Sequence, residues 1–517
     1  MPVSSAWSRA PASAGARGEI RHNLRRLPSP HPLALLLAFA AALRLAAALT
    51  PGFHHPDAIY QYLEPAHRLL TGEGLVTWEW RVGMRSWLLP TLLAVPMALG
   101  RWLDPGGDLP LALPRIAVAL ASLAIVWAAW QIADRHSRRA AWLVGFVAAC
   151  WFEFVHFGAQ TLAEPVAVAA FLPAAALSTT PHPRYRALVG SGALLALAVL
   201  LRPHYAPAAL AVVLVARHRD LARTLPAMLI GAVAIAAIGA AADLWNHATP
   251  FHWMVENVRQ NVIEHRADAY GIAPPFALVA WYITMWGWFA IPLLIGVRFG
   301  WRRCVPLVVA AAVNLALHSL IGHKEYRFVF LTTAALVVIA AIGWAELLRL
   351  AAARWPGRRA DVANAAVFAM WGVASVALSY SPVMAQARAD GRAGSLLFAD
   401  LRDDRTACGV AVVEGATFAD IPGATSLRDD QSLSLFAAHD PVYAGGDASV
   451  ALRRWAAGYD RILTSDRAAH LLPQSYRRAR CEAWEGTRLC LYARRGQCVA
   501  QPQSPFAANT ALIRLRF

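Results

Sequence analysis

The chain has 517 residues, of which 58% are hydrophobic and only 15% are charged, and its mean hydropathy is +0.42. Water-soluble globular proteins rarely combine these values, so the composition argues against a soluble enzyme and favours a membrane protein. The net charge of +16 comes from short arginine clusters between apolar runs, a pattern typical of positive-inside topology and not of a nucleic-acid-binding face.

In chain order, residues 1–32 are polar and arginine-rich, and we interpret them as a cytoplasmic tail before a retained first span. Apolar runs long enough to cross a bilayer as helices then recur as far as Tyr380. With the arginine clusters placed in the cytoplasm, the sequence predicts about eleven crossings. The predicted crossings are 33–50, 111–133, 140–158, 162–179, 187–201, 204–216, 224–243, 277–297, 304–321, 327–348 and 362–381.

Two stretches depart from this regular pattern. The short runs 187–201 and 204–216 meet at Leu201-Arg202-Pro203-His204, which predicts a helix break near the outer surface. The run 86–100 resembles a span but would invert the topology of everything after it. We therefore expect it to lie along the outer leaflet or to dip into it.

The scheme leaves two long loops outside, about residues 51–110 and 244–275, together with the tail 383–517. The tail alternates strand-like apolar runs, CGVAVVEG and RLCLYARR, with polar helical stretches, which predicts a small α/β domain. Four of the six cysteines lie in this tail; an oxidising compartment would allow one or two disulfides, and their three complete pairings stay open. The expected fold class is an all-α polytopic membrane domain, residues 33–382, followed by this extracytoplasmic α/β domain.

The first outer loop concentrates acidic and aromatic residues. Asp57 follows soon after the first span, where an apolar surface beside a carboxylate can raise its pKa for work as a general base. The structural alternative is a helix cap for the stretch that begins at Ala58. Trp78, Glu79 and Trp80 are typical of a sugar-binding platform, although aromatic belts at membrane interfaces have the same composition.

Far downstream, the segment Ile321 to Phe328 reads IGHKEYRF and contains the only lysine among the 48 basic side chains, Lys324. An ammonium recognises phosphate differently from a guanidinium, so this lysine is a candidate phosphate ligand. Four ionisable residues between two apolar spans favour a functional role over a charged turn whose side chains extend to the interface.

These motifs resemble glycosyltransferase family 22, the mannosyltransferases of N-glycan and GPI-anchor assembly and their bacterial relatives. HHPDAIYQYLEPAHRLLTGEG, followed by TWEW and RSWLLP, looks like the start of the family, and HKEYRF is similar to its HKE-x-RF motif. AQTLAEP with Glu164 and LRP with Arg202 resemble lesser features, so the resemblance covers about residues 51–330. The chain departs from the family at Ala58, where an acidic residue is common, which leaves Asp57 as a single base.

The resemblance implies the GT-C architecture and an inverting transfer of a sugar, mannose in this family. The sugar donor would be a polyprenyl-phosphate sugar, and the acceptor a hydroxyl of a glycan or glycolipid on the outer face of a bacterial inner membrane. Asp57 would be the base, and cations would hold the departing phosphate. The candidate phosphate ligands are His323, Lys324, Arg327 and Arg202, the supporting carboxylates are Glu325, Glu164 and Glu64, and the acceptor or sugar contacts are Trp78, Glu79 and Trp80.

No metal or other cofactor is expected, because H-E-x-x-H and nucleotide-binding loops are lacking, although the sequence leaves a divalent metal open. The expected partners are membrane lipids, the lipid-linked sugar donor and the acceptor, without nucleic acid. For Asn257, Asn261 and Tyr270 in the second outer loop we favour ordinary packing. The alternatives are a protein or lipid A glycosyltransferase of the same architecture, an envelope assembly subunit, and a lipid or sugar transporter. A transporter would need charged residues near the middle of the membrane and an internal repeat between its halves.

Overall fold

A computed structural model describes residues 31–414, 421–438, 440–443, 448–496, 498–499 and 504–517. Residues 1–30 of the expected cytoplasmic tail lie outside the described residues. The membrane domain is built from helices, as the apolar runs predict. Its helices are α1 (Pro32–Ala48), α2 (Glu64–Thr71), α3 (Trp78–Arg81), α4 (Leu88–Leu103), α5 (Leu109–Ala121), α6 (Leu123–Asp134), α7 (Arg138–Cys150), α8 (Phe152–Phe157), α9 (Ala163–Ser178), α10 (Tyr185–Leu201), α11 (Ala206–Arg217), α12 (Leu221–Trp245), α13 (His252–Val258), α14 (Ala277–Trp286), α15 (Ala290–Gly300), α16 (Val305–Leu320), α17 (Phe330–Arg354) and α18 (Arg358–Ser379).

The described residues contain 5 helical stretches that are long and apolar enough to cross a membrane. These stretches are Leu109–Asp134, Leu221–Trp245, Ala277–Arg303, Tyr326–Arg354 and Arg358–Ser379. Shorter apolar helices, α1, α4, α9, α10 and α16, accompany them. The protein is therefore a multi-pass membrane protein. Every predicted crossing overlaps at least one of the observed helices, while the number of crossings stays a prediction.

Small residues allow the long helices to pack closely, as is typical within a bilayer. A Cβ atom at Gly192 of α10 would lie 1.9 Å from the carbonyl oxygen of Met228 in α12. A Cβ atom at Gly343 of α17 would lie 1.8 Å from the carbonyl oxygen of Gly296 in α15. Any larger side chain at these two positions would force the paired helices apart.

The two irregular stretches of the sequence both form helices, and the first of them contains a break. The break after α10 is confirmed: α10 ends at Leu201, and a 3-10 turn, Pro203–Tyr205, leads into α11. The run 86–100 forms α4, and its position relative to the leaflet stays a prediction. Directly after Asp57, residues Ala58–Leu63 form a π-helical segment whose six side chains are all buried, a feature frequent at functional sites.

The C-terminal part is an α/β domain, as predicted. Its helices are α19 (Pro382–Ala389), α20 (Arg392–Asp403), α21 (Ala448–Arg454) and α22 (Ala508–Arg514), and its strands are β1 (Gly409–Val413), β2 (Ser432–Phe436), β3 (Arg461–Ser465), β4 (Arg477–Trp484) and β5 (Thr487–Ala493). The five-stranded sheet has the order β2-β1-β3-β5-β4. Strand β1 runs parallel to β2 and β3, whereas β5 runs antiparallel to β3 and β4. The two apolar runs recognised in the sequence are β1 and β5.

Two disulfide bonds select one of the pairings that the sequence left open. Cys408 pairs with Cys498, and Cys481 on β4 pairs with Cys490 on the adjacent β5. Both bonds lie in the α/β domain.

The α/β domain rests directly on the membrane domain. Apolar residues of α20 and of one face of the sheet, among them Phe398, Val412 and Leu463, belong to the same continuous core as the membrane helices. The opposite face, with Ile462 and Phe436, forms a separate small core. The domain is therefore fixed above the outer loops, where it can contribute to the site.

Candidate active site

A cavity of about 500 Å³ lies where four segments meet: the two outer loops, the break between α10 and α11, and the connection from α16 to α17. Eight of the predicted site residues line it: Asp57, Trp78, Glu79, Arg202, His323, Lys324, Glu325 and Arg327. The sequence therefore predicted residues that are far apart in the chain and close in space.

Asp57 directly precedes the π-helical segment, and its side chain is 22% exposed. The carboxylate does not cap that segment, so the structural alternative considered for it does not apply. Its Oδ2 accepts a hydrogen bond from Nη2 of Arg327 at 2.7 Å, and its Oδ1 lies 3.7 Å from Nδ1 of His55.

The pKa of Asp57 is lowered, contrary to the expectation of a raised value. Burial opposes ionisation, but the positive charge of Arg327, with smaller contributions from His55 and Arg85, outweighs burial and brings the pKa below its ordinary value. The expectation was wrong because the loop sequence does not reveal that a cation 270 residues away pairs with this carboxylate. Asp57 is consequently ionised at neutral pH.

Arg327 is buried, with 5% of its side chain exposed, and it joins three carboxylates. Its Nε donates to Glu325 at 2.5 Å, and its Nη1 donates to Glu164 at 3.1 Å, besides the bond to Asp57. A guanidinium with three anionic partners is suited to hold those partners in place. This geometry fits a positioning role for Arg327 better than direct binding of a phosphate.

Glu164 and Arg202 pair with each other, one of the possibilities that the sequence left open. Glu164 is fully buried behind the cavity, and its Oε1 lies 3.4 Å from Nη2 of Arg202. Arg202 faces the cavity with its guanidinium 5.1 Å from the ring of Phe328. Its buried Nε has no hydrogen-bond partner among the described residues, so this group retains an unused N–H.

Glu325 connects two histidines to the same network. Its carboxylate lies 3.0 Å from Nε2 of His323 and 3.1 Å from Nε2 of His55. Burial disfavours its charge, but Arg327 and the two histidines hold the pKa of Glu325 well below its ordinary value. In return, the hydrogen bond that His323 donates to Glu325 raises the pKa of His323.

Lys324 lines the cavity, yet its ammonium already has protein partners. Its Nζ donates to the carbonyl oxygens of Ala273, at 2.8 Å, and of Ile321, and lies 3.5 Å from that of Gly322. An ammonium has three hydrogens, so these carbonyls account for them. The lysine therefore ties the end of α16 to the second outer loop, and a direct phosphate contact would require it to give up one of these bonds.

The predicted sugar platform divides into two parts. Trp78 and Glu79 line the cavity; Trp78 donates to the hydroxyl of Tyr270 at 2.8 Å, and Glu79 lies 3.5 Å from Arg85. Trp80 lies outside the cavity lining, where it packs on Trp87 with the ring centroids 4.5 Å apart. Because α3 is a single short turn, its neighbouring side chains point to different sides.

Glu64 also lies away from the cavity. Its carboxylate accepts hydrogen bonds from the backbone N–H of Leu75 at 2.6 Å and from both the N–H and the hydroxyl of Thr425 at 2.7 Å. Burial raises the pKa of Glu64 in spite of these bonds. The residue joins the first outer loop to the α/β domain and supports the site from a distance.

Several cavity residues were missed or misjudged from the sequence. Asn257, Asn261 and Tyr270 line the cavity, although ordinary packing was favoured for them. Further buried polar atoms with no hydrogen-bond partner among the described residues belong to lining side chains: Gln61 Oε1, Thr77 Oγ1, Arg85 Nε, His204 Nδ1 and His318 Nε2. A histidine inside an apolar run, such as His318, was a signal that the sequence offered.

The α/β domain reaches the cavity through its last helix. Phe517, which follows α22, lines the cavity, and Nη2 of Arg81 donates to its backbone oxygen at 2.5 Å. Nearby, the Asn509 side chain accepts from the N–H of Val76 and donates to the carbonyl of Gly74, both at 2.9 Å. The cavity is therefore closed by both parts of the protein.

Comparison with known proteins shows which family the chain resembles. The sequence model of the Alg9-like mannosyltransferase family matches residues 35–391. GPI mannosyltransferase 3 of Drosophila melanogaster is 28% identical over 310 residues, which are 56% of this chain and 52% of that protein. GPI mannosyltransferase 3 of Yarrowia lipolytica is 29% identical over 324 residues, 57% of this chain and 59% of that protein. The chain thus spans little more than half the length of these relatives.

Among solved structures, the fold is similar to that of ArnT from Cupriavidus metallidurans bound to undecaprenyl phosphate. The superposition has a TM-score of 0.59 and covers 91% of this chain and 99% of ArnT, at 14% sequence identity. At this identity the similarity concerns the fold alone, and it confirms the GT-C architecture.

Proposed function

Because the chain belongs to the Alg9-like mannosyltransferase family, we propose that it transfers mannose from a polyprenyl-phosphate carrier to a hydroxyl of a glycan or glycolipid. The observation that carries the proposal is the cavity itself. An ionised carboxylate, Asp57, shares it with guanidinium groups that have N–H donors unused by the described part of the chain. One group can accept the proton of the acceptor hydroxyl while the others hold a departing phosphate.

Asp57 serves as the general base in this proposal. Arg327 engages Oδ2, so Oδ1 is the oxygen available to the acceptor hydroxyl. As the acceptor oxygen bonds to the anomeric carbon from the side opposite the phosphate, the bond from that carbon to the phosphate oxygen breaks with its electron pair, and the hydroxyl proton passes to Asp57. A low pKa is compatible with this role, because an oxocarbenium-like transition state makes the attacking hydroxyl more acidic as the new bond forms.

Arg202 and Arg85 are the proposed ligands of the donor phosphate. Each guanidinium is held by one carboxylate, Glu164 or Glu79, and each has a buried Nε for which the described residues supply no hydrogen-bond partner. A guanidinium held in this way can donate to phosphate oxygens without first breaking a protein contact. His323 adds a positive charge when it is protonated. Lys324 contributes its positive charge without a direct hydrogen bond to the phosphate, because its ammonium is bound to carbonyl oxygens.

We place the reaction on the non-cytoplasmic side of a bacterial inner membrane. The two disulfide bonds of the α/β domain, which closes the cavity, are compatible with an oxidising compartment. The relatives described above come from a fly and a yeast, so the bacterial location rests on the sequence analysis alone. Family membership favours a transferase over a transporter.

The direct test is a transfer assay on the purified protein in lipid. We expect radiolabelled mannose to move to a glycolipid acceptor from polyprenyl-phosphate mannose and not from GDP-mannose, because the sequence lacks nucleotide-binding loops. Addition of EDTA is expected to leave the rate unchanged. Transfer from the nucleotide sugar alone would contradict the proposed sugar donor.

A further inference from the structure

Another cavity, of about 620 Å³, lies between α1 and α18, with α7 and α8 as its floor. One end of this groove is apolar and is lined by Phe39, Leu43, Phe146 and Val376. Phe39 and Val376 are 43% and 61% exposed, on helices that the bilayer surrounds. At about 1.5 Å per helical residue, the α1 wall from Phe39 to Ala47 is about 12 Å long, so the groove is long enough for part of a lipid chain.

The opposite end of this groove is polar and carries positive charge. Arg115 is 8% exposed, its guanidinium lies 5.2 Å from the Phe53 ring, and no carboxylate of the described residues lies within 4.0 Å of it. Its Nε has no hydrogen-bond partner among those residues. Removing a cation from water without a counter-ion is costly. A bound anion would therefore be stabilised at this end of the groove.

Other side chains complete the polar end. Nε2 of His156 and Oε1 of Gln160 are buried without a partner in the described part of the chain. Arg388 lies at the rim, where it donates to the carbonyl of Ser379 and forms no ion pair with a described residue. Asp390 is the acidic residue of the lining, and it lies 3.9 Å from His54. Two arginines and one aspartate leave a net positive charge.

The loop that carries Asp57 separates this groove from the reaction cavity. His54 lines the groove, whereas His55, Pro56 and Asp57 line the other cavity. Among the described residues, the two cavities share no lining side chain. A molecule bound in the groove is therefore not placed against Asp57 and instead contacts His54, three residues earlier in the same loop.

We propose that this groove binds a membrane lipid with one phosphate headgroup. The phosphate lies between Arg115 and Arg388, Gln160 accepts a hydrogen bond from a headgroup hydroxyl, and the acyl chain lies along α1 and α18. The proposal does not depend on the sugar-transfer function, because it concerns binding alone. It commits to a lipid and not to free phosphate, since most of the groove is apolar and faces the bilayer.

The test is photo-crosslinking of the full-length protein in nanodiscs with phosphatidic acid that carries a diazirine in its acyl chain. We expect the crosslinks to map to peptides of α1 and α18. Excess unlabelled phosphatidic acid should abolish them, whereas diacylglycerol and inorganic phosphate at the same concentration should not. Equal competition by diacylglycerol would reduce the site to an apolar cleft, and competition by inorganic phosphate would make it a small-anion site; either result overturns the proposal.

Two variants and one control assign the effect to the groove. Arg115→Gln should weaken the apparent affinity for phosphatidic acid about 10- to 100-fold, the usual range for lost charge-assisted hydrogen bonds. Arg68→Gln removes an exposed arginine of the first outer loop and should have no effect. Gly372→Leu fills the groove from α18 with Arg115 intact and should also prevent crosslinking. Unchanged crosslinking in the Arg115 and Gly372 variants contradicts the proposal.

Discussion

At the residue scale, the site is a chain of alternating charges centred on Arg327. This arginine contacts Asp57, Glu164 and Glu325, and Glu164 in turn contacts Arg202. Because each carboxylate is held by a buried cation, the proposed catalytic oxygen of Asp57 has a fixed position before any substrate arrives. Such preorganisation is what a general base needs in order to act on a bound hydroxyl.

Arg85 provides the first prediction at this scale. Arg85→Gln removes a guanidinium whose Nε has no partner among the described residues, and it should weaken the apparent affinity for the proposed lipid-linked sugar donor about 10- to 100-fold. The turnover number at saturating sugar donor should fall much less, because the carboxylate base stays in place. Steady-state kinetics of this variant, with Arg68→Gln as the control, measure both quantities. A variant that loses turnover but keeps its donor affinity would contradict the assignment.

His323 provides a prediction for pH dependence. Its pKa is raised by the hydrogen bond to Glu325, so the imidazolium is fully present below the ordinary value of about 6.5 and is lost as the pH rises through the raised pKa. Sugar-donor affinity should be constant at low pH and weaken across that rise. In His323→Gln the alkaline weakening should disappear. A wild-type affinity that does not change between pH 6 and 9 would exclude a role for this charge.

The sequence predicted the residues of the two distant motifs because several chemically unusual side chains stand together in each. It did not predict the pairing of Asp57 with Arg327, nor the inclusion of His318 and Arg85, because these contacts arise only when separate helices pack. The single lysine was recognised from composition alone. Its hydrogen bonds to carbonyl groups could not be read in this way, because they depend on the path of the second outer loop.

At the element scale, the cavity depends on contacts between the first outer loop and the α/β domain. Tyr60 donates to the carbonyl of Ile421 at 2.9 Å, Glu64 holds Thr425, and Asn509 binds the backbone on both sides of Leu75. The loop has little regular structure between α2 and α3. Its backbone therefore relies on the domain for hydrogen bonds that it cannot make itself.

Asn509→Ala tests this dependence. Loss of two hydrogen bonds between the loop and α22 should lower the free energy of unfolding by about 1–3 kcal/mol. It should also increase proteolysis within residues 72–84, which carry Trp78 and Glu79. Thermal unfolding and limited proteolysis measure the two effects, and Asn364→Ala on the exposed face of α18 is the control. If both variants behave like the wild-type protein, the contact does not support the loop.

The elements themselves followed largely from local patterns. Long apolar runs predicted the membrane helices, and Pro203 predicted the break after α10, because proline cannot donate the backbone hydrogen bond that a helix needs. The second outer loop was different. It is polar, and it is built from short helical turns around α13, so its sequence carried no signal that Asn257 and Asn261 face the cavity.

At the scale of the whole molecule, the α/β domain, the outer loops and the cavity lie on one side of the helix bundle. The sheet shares its core with the membrane helices, and Phe517 lines the cavity. The sequence predicted a separate outer domain, but not that this domain closes the site. Interfaces between distant segments have no periodic signature in a single sequence.

The predicted topology can be tested with single cysteines introduced at exposed positions. Arg454→Cys changes an exposed residue of the α/β domain, and Arg139→Cys changes an exposed residue in the first turn of α7. If the domain is extracytoplasmic, a membrane-impermeant maleimide should label the first variant in intact cells and the second only after the membrane is opened. The opposite pattern would place the cavity in the cytoplasm.

The central claim, that Asp57 accepts the proton of the acceptor hydroxyl, is tested most directly by the single-turnover rate of mannose transfer in Asp57→Asn. We predict a rate about 10² to 10⁴ times lower than that of the wild-type protein, with normal membrane insertion and donor binding, while Glu73→Gln at an exposed position of the same loop keeps the wild-type rate. An Asp57→Asn variant that transfers mannose as fast as the wild-type protein would contradict the account.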